Sequence, residues 1–156
     1  MRKTEIIAFH GWGFDAPVWN GWDNLFDGHI TFSAFERGYF GKAKHTPIFT
    51  ASHAVKVIFT HSFGLHQCPA NLFNEADLLV IFNGFIDFHP IAAQYRRRSK
   101  LIVKQMLNTL QGHPEKVLEE FYKNTFKPED PHSLPQGQPD RDLLTKDLKA
   151  LNNRTL

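Results

Sequence analysis

Four short apolar stretches mark the first half of the chain, at Thr4–Phe9, His29–Phe35, Val55–Phe59 and Leu78–Phe82. Each predicts a β-strand, and the last three are near-continuous rather than alternating, the pattern of strands covered on both faces. Successive strands lie about 20 to 25 residues apart, which leaves room for crossover segments and favours a parallel sheet over one built from hairpins. After Pro90 the period changes, and from Gln94 onward the pattern is helical. Leu101, Ile102, Met106, Leu107 and Leu110 recur at helical spacing across Ser99–Gln111, with Gly112 placed to end the helix. Pro114 suits the first position of a second helix, with Glu115 near its positive end and Val117, Leu118, Phe121 and Tyr122 on its apolar face. Lys127–Gln138 holds three prolines and reads as a loop, after which Asp140 is placed to cap a third helix bearing Leu143, Leu144, Leu148 and Leu151. The expectation is an α/β core over residues 1–92 followed by a helical region over 93–156.

The chemistry suggested by this pattern sits at the end of the third strand. Val55-Lys56-Val57-Ile58-Phe59-Thr60-His61-Ser62-Phe63-Gly64 runs apolar up to a serine and then offers a glycine two residues on, where a sharp strand-to-helix turn needs a small residue. It reads as a nucleophile elbow with Ser62 at its tip. Upstream, the first strand ends in His10-Gly11-Trp12-Gly13, a glycine-flanked turn of the kind that presents backbone N–H groups to an oxyanion. A serine hydroxyl is a poor nucleophile at neutral pH unless an imidazole takes its proton and an acid orients that imidazole. Nine histidines are present. At an elbow the His61 side chain should point away from Ser62, His10 suits a structural hydrogen bond, and His89, His113 and His132 lie in later connections.

Composition narrows the picture. A length of 156 residues suggests one domain, although wide α/β sheets usually need more chain. With 42% apolar and 22% charged residues the chain is globular, and a formal charge of +2 is too small for bulk nucleic-acid binding. Cys68 is the single cysteine, so no internal disulfide forms, and its place just after the elbow suits a buried, inert thiol. The Ile6–Phe9 run is too short for a signal segment or a membrane span, from which a soluble cytoplasmic protein with no membrane partner is expected. No phosphate-binding glycine loop is present and Asp87-Phe88-His89 lacks a third ligand nearby, so neither cofactor nor metal is expected. Tyr95-Arg96-Arg97-Arg98-Ser99-Lys100 is the one dense basic run, which is either a solvated face or a docking patch.

The combination of His10-Gly11-Trp12-Gly13, Glu36-Arg37-Gly38-Tyr39-Phe40-Gly41 and Thr60-His61-Ser62-Phe63-Gly64 resembles the α/β-hydrolases in order and spacing. Within that superfamily, the His-Gly-Trp-Gly opening and the basic helical insertion after the fourth strand resemble the pimeloyl-[acyl-carrier protein] methyl ester esterases of biotin synthesis. The resemblance implies a partial α/β-hydrolase, a mostly parallel sheet followed by a helical cap, acting as a serine carboxylesterase on an acyl ester. It implies Ser62 as nucleophile and the backbone N–H groups of Trp12 and Phe63 as oxyanion donors. It places Asp87 where some hydrolases carry the acid, and it makes Arg96, Arg97, Arg98 and Lys100 a docking patch for an acidic acyl-carrier protein. Thr60 departs from the pattern, which has glycine or another small residue two before the serine. In this family the acid and histidine follow the cap, whereas this sequence ends at Leu156. The alternative is therefore a truncated, catalytically incompetent remnant or a non-enzymatic binder, or a homodimer paired through the apolar fourth strand, since an unpaired apolar edge invites pairing.

Overall fold

The computed structural model describes residues 3–26, 28–130 and 134–153, which divide into two units: 1–38 with 42–85, and 39–41 with 86–156. The first unit holds a four-stranded parallel sheet of β1 (Thr4–Phe9), β2 (Ile30–Ala34), β3 (Val55–His61) and β4 (Leu78–Phe82) in the order β2-β1-β3-β4. Thr4 of β1 is in register with Ile30 on one side and Val55 on the other, and β3 pairs with β4 from Val57↔Leu78 to His61↔Phe82. Short helices α1 (Gly64–Gln67) and α2 (Ala70–Glu75) follow β3.

Alternation along β1 sorts its side chains into two cores. Ile7 and Phe9 pack with Ile58, Phe35, Cys68 and Leu72, while Ile6 and Ala8 pack with Val57, Phe59 and Trp19. The second core is largely aromatic: the Trp19 ring centroid lies 5.0 Å from that of Trp22 and 5.9 Å from that of Phe82, and Phe59 meets Phe82 edge-on at 5.5 Å. Edge-to-face contacts of this kind add to the area such rings bury. Cys68 is buried, and burial pushes its thiol up to about 12, so it stays protonated.

Glu5 is the one charged residue buried in β1. Its carboxylate accepts from Thr50 N at 2.9 Å, from Ala51 N at 3.1 Å and from the Thr50 hydroxyl, which ties the long β2–β3 connection to the sheet. Burial pushes this carboxyl up, but the hydrogen bonds from Thr50 and Ala51, with Lys56 nearby, outweigh it and hold it below the ordinary range.

In the second unit, α3 (Ala93–Leu110), α4 (Pro114–Thr125) and α5 (Arg141–Asn153) bury Val103, Leu110, Val117, Leu118, Tyr122, Leu144, Leu148 and Leu151 among themselves. Asp140 caps α5, its Oδ1 accepting from Leu143 N at 2.9 Å. Tyr39 is fully buried in this unit and donates its hydroxyl to Asp147 Oδ2 at 2.8 Å, while its carbonyl accepts from Asp140 N at 2.7 Å.

One expectation is corrected. The fourth strand is not covered on both faces: β4 pairs on one side only among the described residues, and Leu78, Leu79 and Ile81 are exposed. The first cap helix starts at Ala93, one residue before Gln94, from which helical character is expected. Among the described residues no helix is long and apolar enough to cross a membrane.

Because the folded Glu5 carboxyl titrates below its ordinary value, its contribution is present above the unfolded pKa and is lost as pH falls through the folded one. Glu5→Gln should therefore cost ~1 kcal/mol in urea unfolding at pH 7, scaled down for a site beside a surface loop, and less in acid, as the carboxyl is protonated. An equal cost at pH 7 and in acid would contradict a charge-assisted tie.

Candidate functional site

At the end of β3 the chain turns sharply into α1, and Ser62 takes φ 53°, a left-handed conformation rare for a side-chain-bearing residue. The turn is held open on one side by β4, since Ser62 N–H donates to Phe82 O at 2.9 Å. On the other side it abuts the end of β1. A Cβ on Gly64 would stand 2.3 Å from Phe9 O, and one on Gly11 would stand 3.1 Å from both Ser62 Cβ and His61 Nδ1. Position 64 therefore needs glycine, position 11 has only tight room for a side chain, and the close approach sets the His10–Gly13 turn against the serine.

Phe63 is buried and opens α1, so its N–H is one of the first-turn groups without an intrahelical partner. Trp12 is also buried. Its amide belongs to the same peptide unit as the Gly11 carbonyl, which receives Phe14 N–H at 3.3 Å and His10 Nδ1 at 2.9 Å. His10 is fully buried and its Nε2 accepts from Arg37 N–H at 3.1 Å. Burial lowers its pKa, outweighing Glu36 3.8 Å away, so the ring is neutral. Glu36 spans the two loops: its Oε2 accepts from Ala16 N and its Oε1 from Gly38 N, each at 2.8 Å. Burial, with Glu36 nearby, raises the Asp15 carboxyl above its ordinary value.

Thr60 is fully buried, and its Oγ1 has no partner among the described residues. The β-branched side chain suits the end of a strand, and the orphaned hydroxyl is the cost of placing threonine there. His61 Nδ1 is likewise buried without a partner, and its ring meets Phe14 edge-on at 5.5 Å. Burial lowers the His61 pKa as well.

The remaining sequence candidates belong to the second unit. Asp87 accepts from His89 N–H at 2.9 Å and from Arg96 Nη1 at 2.8 Å, and these donors hold its carboxyl below the ordinary range. Both oxygens thus serve the turn into α3. His89 is buried, with Nε2 donating to Asn152 Oδ1 at 3.0 Å and Nδ1 accepting from Ser99 Oγ at 2.8 Å, the tautomer following from the Asn152 acceptor. Arg96 is engaged with Asp87 and the His89 carbonyl, whereas Arg97, Arg98 and Lys100 are exposed on α3. His113 is exposed ahead of α4, and His132 lies outside the described residues. Among the described residues no group of three or more His, Cys, Asp or Glu side chains is placed to hold a metal ion. Sequence reading missed the clamp made by Glu36 and the Arg37 amide. The only signal for it was the Glu36–Gly41 stretch between two strands, which carries no chemistry until the loops are folded together.

A 60-residue stretch, 38% of this chain, is 25% identical to the pimeloyl-[acyl-carrier protein] methyl ester esterase of Proteus mirabilis (strain HI4320) and covers 23% of that protein's length. The solved structure of ClbQ from the colibactin NRPS/PKS pathway aligns with a TM-score of 0.57 at 12% identity, over 99% of this chain and 69% of that one. No protein-family model matches the chain. The fold is that of a partial α/β-hydrolase, with a distant sequence relationship to an esterase.

Gly64→Ala drives a methyl group into a backbone carbonyl and should destabilise by ~3 kcal/mol or more. Gly112→Ala, where a Cβ meets nothing within 4 Å, should stay within about 1 kcal/mol of the parent. Thermal unfolding of the pair checks this, and equal midpoints would contradict the close approach.

Proposed function

We propose that this α/β-hydrolase-like chain is a serine ester hydrolase in which Ser62 is the nucleophile and the Trp12 and Phe63 N–H groups hold the oxyanion. The observation that carries this reading is the left-handed Ser62 turn set against the Gly11 turn at the ends of two adjacent parallel strands. In the reaction, Ser62 Oγ forms a bond to the ester carbonyl carbon as its proton passes to a base. The carbonyl oxygen gains negative charge between the two amides, and donors held rigidly at such a position are worth roughly a hundredfold or more in rate each. Collapse breaks the bond to the alcohol, which leaves with a proton, and water then hydrolyses the acyl-enzyme to the acid.

For the substrate we favour an acyl methyl ester carried on an acyl-carrier protein. The support is the distant similarity to the Proteus mirabilis pimeloyl-[acyl-carrier protein] methyl ester esterase and the exposed Arg97, Arg98 and Lys100 on α3, a positive stripe suited to an acidic carrier. Arg97→Glu with Lys100→Glu should weaken binding of an acidic acyl-carrier protein about tenfold at low salt, with the difference shrinking as salt rises. Titration by fluorescence anisotropy tests this, and unchanged affinity would remove the carrier from the proposal.

A fluorophosphonate probe tests the chemistry directly. Labelling should occur on the parent chain and vanish in Ser62→Ala, with p-nitrophenyl ester hydrolysis following the same pattern. Asp87→Asn is an informative third arm: lost labelling would mark it as the acid of the relay, and lost stability with labelling intact would mark it as the anchor of Arg96. A folded parent chain that takes no label overturns the hydrolase reading.

A further inference from the structure

We propose that His10 is a positioning residue for the oxyanion donor, fixing the Gly11–Trp12 peptide plane through its Nδ1–H, with the β2–β3 connection holding the imidazole in place. The proposal rests on the serine-hydrolase reading above for its function, though not for its geometry.

The tautomer follows from the partners. A backbone N–H can only donate, so His10 Nε2, 3.1 Å from Arg37 N, must accept. A neutral imidazole then carries its proton on Nδ1, and the group 2.9 Å away is the Gly11 carbonyl, which only accepts. Phe14 N–H donates to the same oxygen at 3.3 Å. Two donors therefore anchor one carbonyl. In a trans peptide the N–H points opposite to the C=O, so anchoring Gly11 O turns the Trp12 N–H away from the His10 ring and the Phe14 amide. Gly11 itself abuts Ser62, as the 3.1 Å approach of a Cβ at position 11 to Ser62 Cβ shows. A carbonyl that accepts two hydrogen bonds also polarises its peptide, which strengthens the N–H of the same unit as a donor.

The imidazole is held from a distant part of the sequence. Arg37 lies 27 residues from His10, and its neighbour Glu36 fastens the segment by accepting from Gly38 N and Ala16 N. The β2–β3 connection thereby sets the orientation of a donor that belongs to the β1 turn. His10 touches no reacting atom in this arrangement and acts only through the peptide it orients.

Two amide variants separate the two hydrogen bonds. In His10→Asn the side-chain amide occupies the place of Nδ1 and can donate to Gly11 O, while the bond from Arg37 is lost. In His10→Gln the terminal carbonyl occupies the place of Nε2 and can accept from Arg37, while the bond to Gly11 O is lost. Each variant gives up one buried hydrogen bond, so a purely structural role would slow both alike. The positioning role requires the fluorophosphonate labelling rate of His10→Gln to fall about tenfold or more below that of His10→Asn at comparable thermal stability. Ring ¹⁵N shifts of His10 in the parent chain should report Nδ1 protonated at pH 7, and the Trp12 amide resonance should move in His10→Gln and hold in His10→Asn. The ring measurement needs no variant to fold, and neither NMR reading depends on activity. If the parent takes no label, the hydrolase reading fails and the NMR readings still judge the geometry. A ring protonated on Nε2, or a Trp12 resonance or labelling rate that responds equally to the two variants, overturns the proposal.

Discussion

A Cβ at position 64 would stand 2.3 Å from the Phe9 carbonyl, and one at position 11 would stand 3.1 Å from Ser62 Cβ, so the turns that leave β1 and β3 meet across two glycines. Parallel pairing from Thr4↔Val55 to Phe9↔Thr60 delivers both turns to the same end of the sheet. The pairing alone would leave them a strand spacing apart, roughly 4.8 Å. The missing side chains leave room for the turns to meet, and Ser62 takes a left-handed conformation beside them. Strain of this kind persists only where the surroundings over-determine it. Here the Phe82 carbonyl holds the Ser62 amide on one side and the β1 turn crowds it on the other.

The polar groups around this end of the sheet work mainly by joining loops. Glu36 links the segment after β2 to Ala16, His10 links it to the β1 turn, and Glu5 ties the far part of the same connection to β1. The β2–β3 connection has little regular structure of its own, so its place depends on these buried acceptors. Burial keeps His10 neutral, which preserves Nε2 as an acceptor, while hydrogen bonding keeps Glu5 charged, which preserves its carboxylate as one. The two groups, one neutral and one anionic, serve the same end, an acceptor held ready for a backbone N–H.

Strand positions were legible because apolar runs bounded by polar segments report them directly. β1 and β4 fall where the pattern places them, and β3 runs two residues further to His61 because pairing with β4 carries the ladder past the apolar stretch. The start of α3 was legible to within one residue, since helical character expected from Gln94 begins at Ala93. Leu78-Leu79-Val80-Ile81-Phe82 reads by its apolar pattern as a strand covered on both faces, while the expectation of an unpaired apolar edge is the one that the sheet order matches among the described residues. At the candidate site, Ser62 and the glycines stood out because a sharp turn needs particular residue types at particular spacings. His10 stood out as a residue and not as a link, because its partner Arg37 contributes a backbone amide, and every residue but proline has one.

By itself the sequence determined the parallel sheet, the three following helices, the turn that carries Ser62 and the glycines on which that turn depends. These follow from local periodicity and from the steric limits of single residues, which act over a few positions. Tertiary structure alone decided the neutral tautomer of His10, the bridging role of Glu36, the pairing of Tyr39 with Asp147 and the use of the Asp87 carboxylate to hold Arg96. Each depends on which donor stands opposite which acceptor, and whether a polar side chain is charged, bonded or orphaned is set by what the folded chain brings within about 3 Å of it.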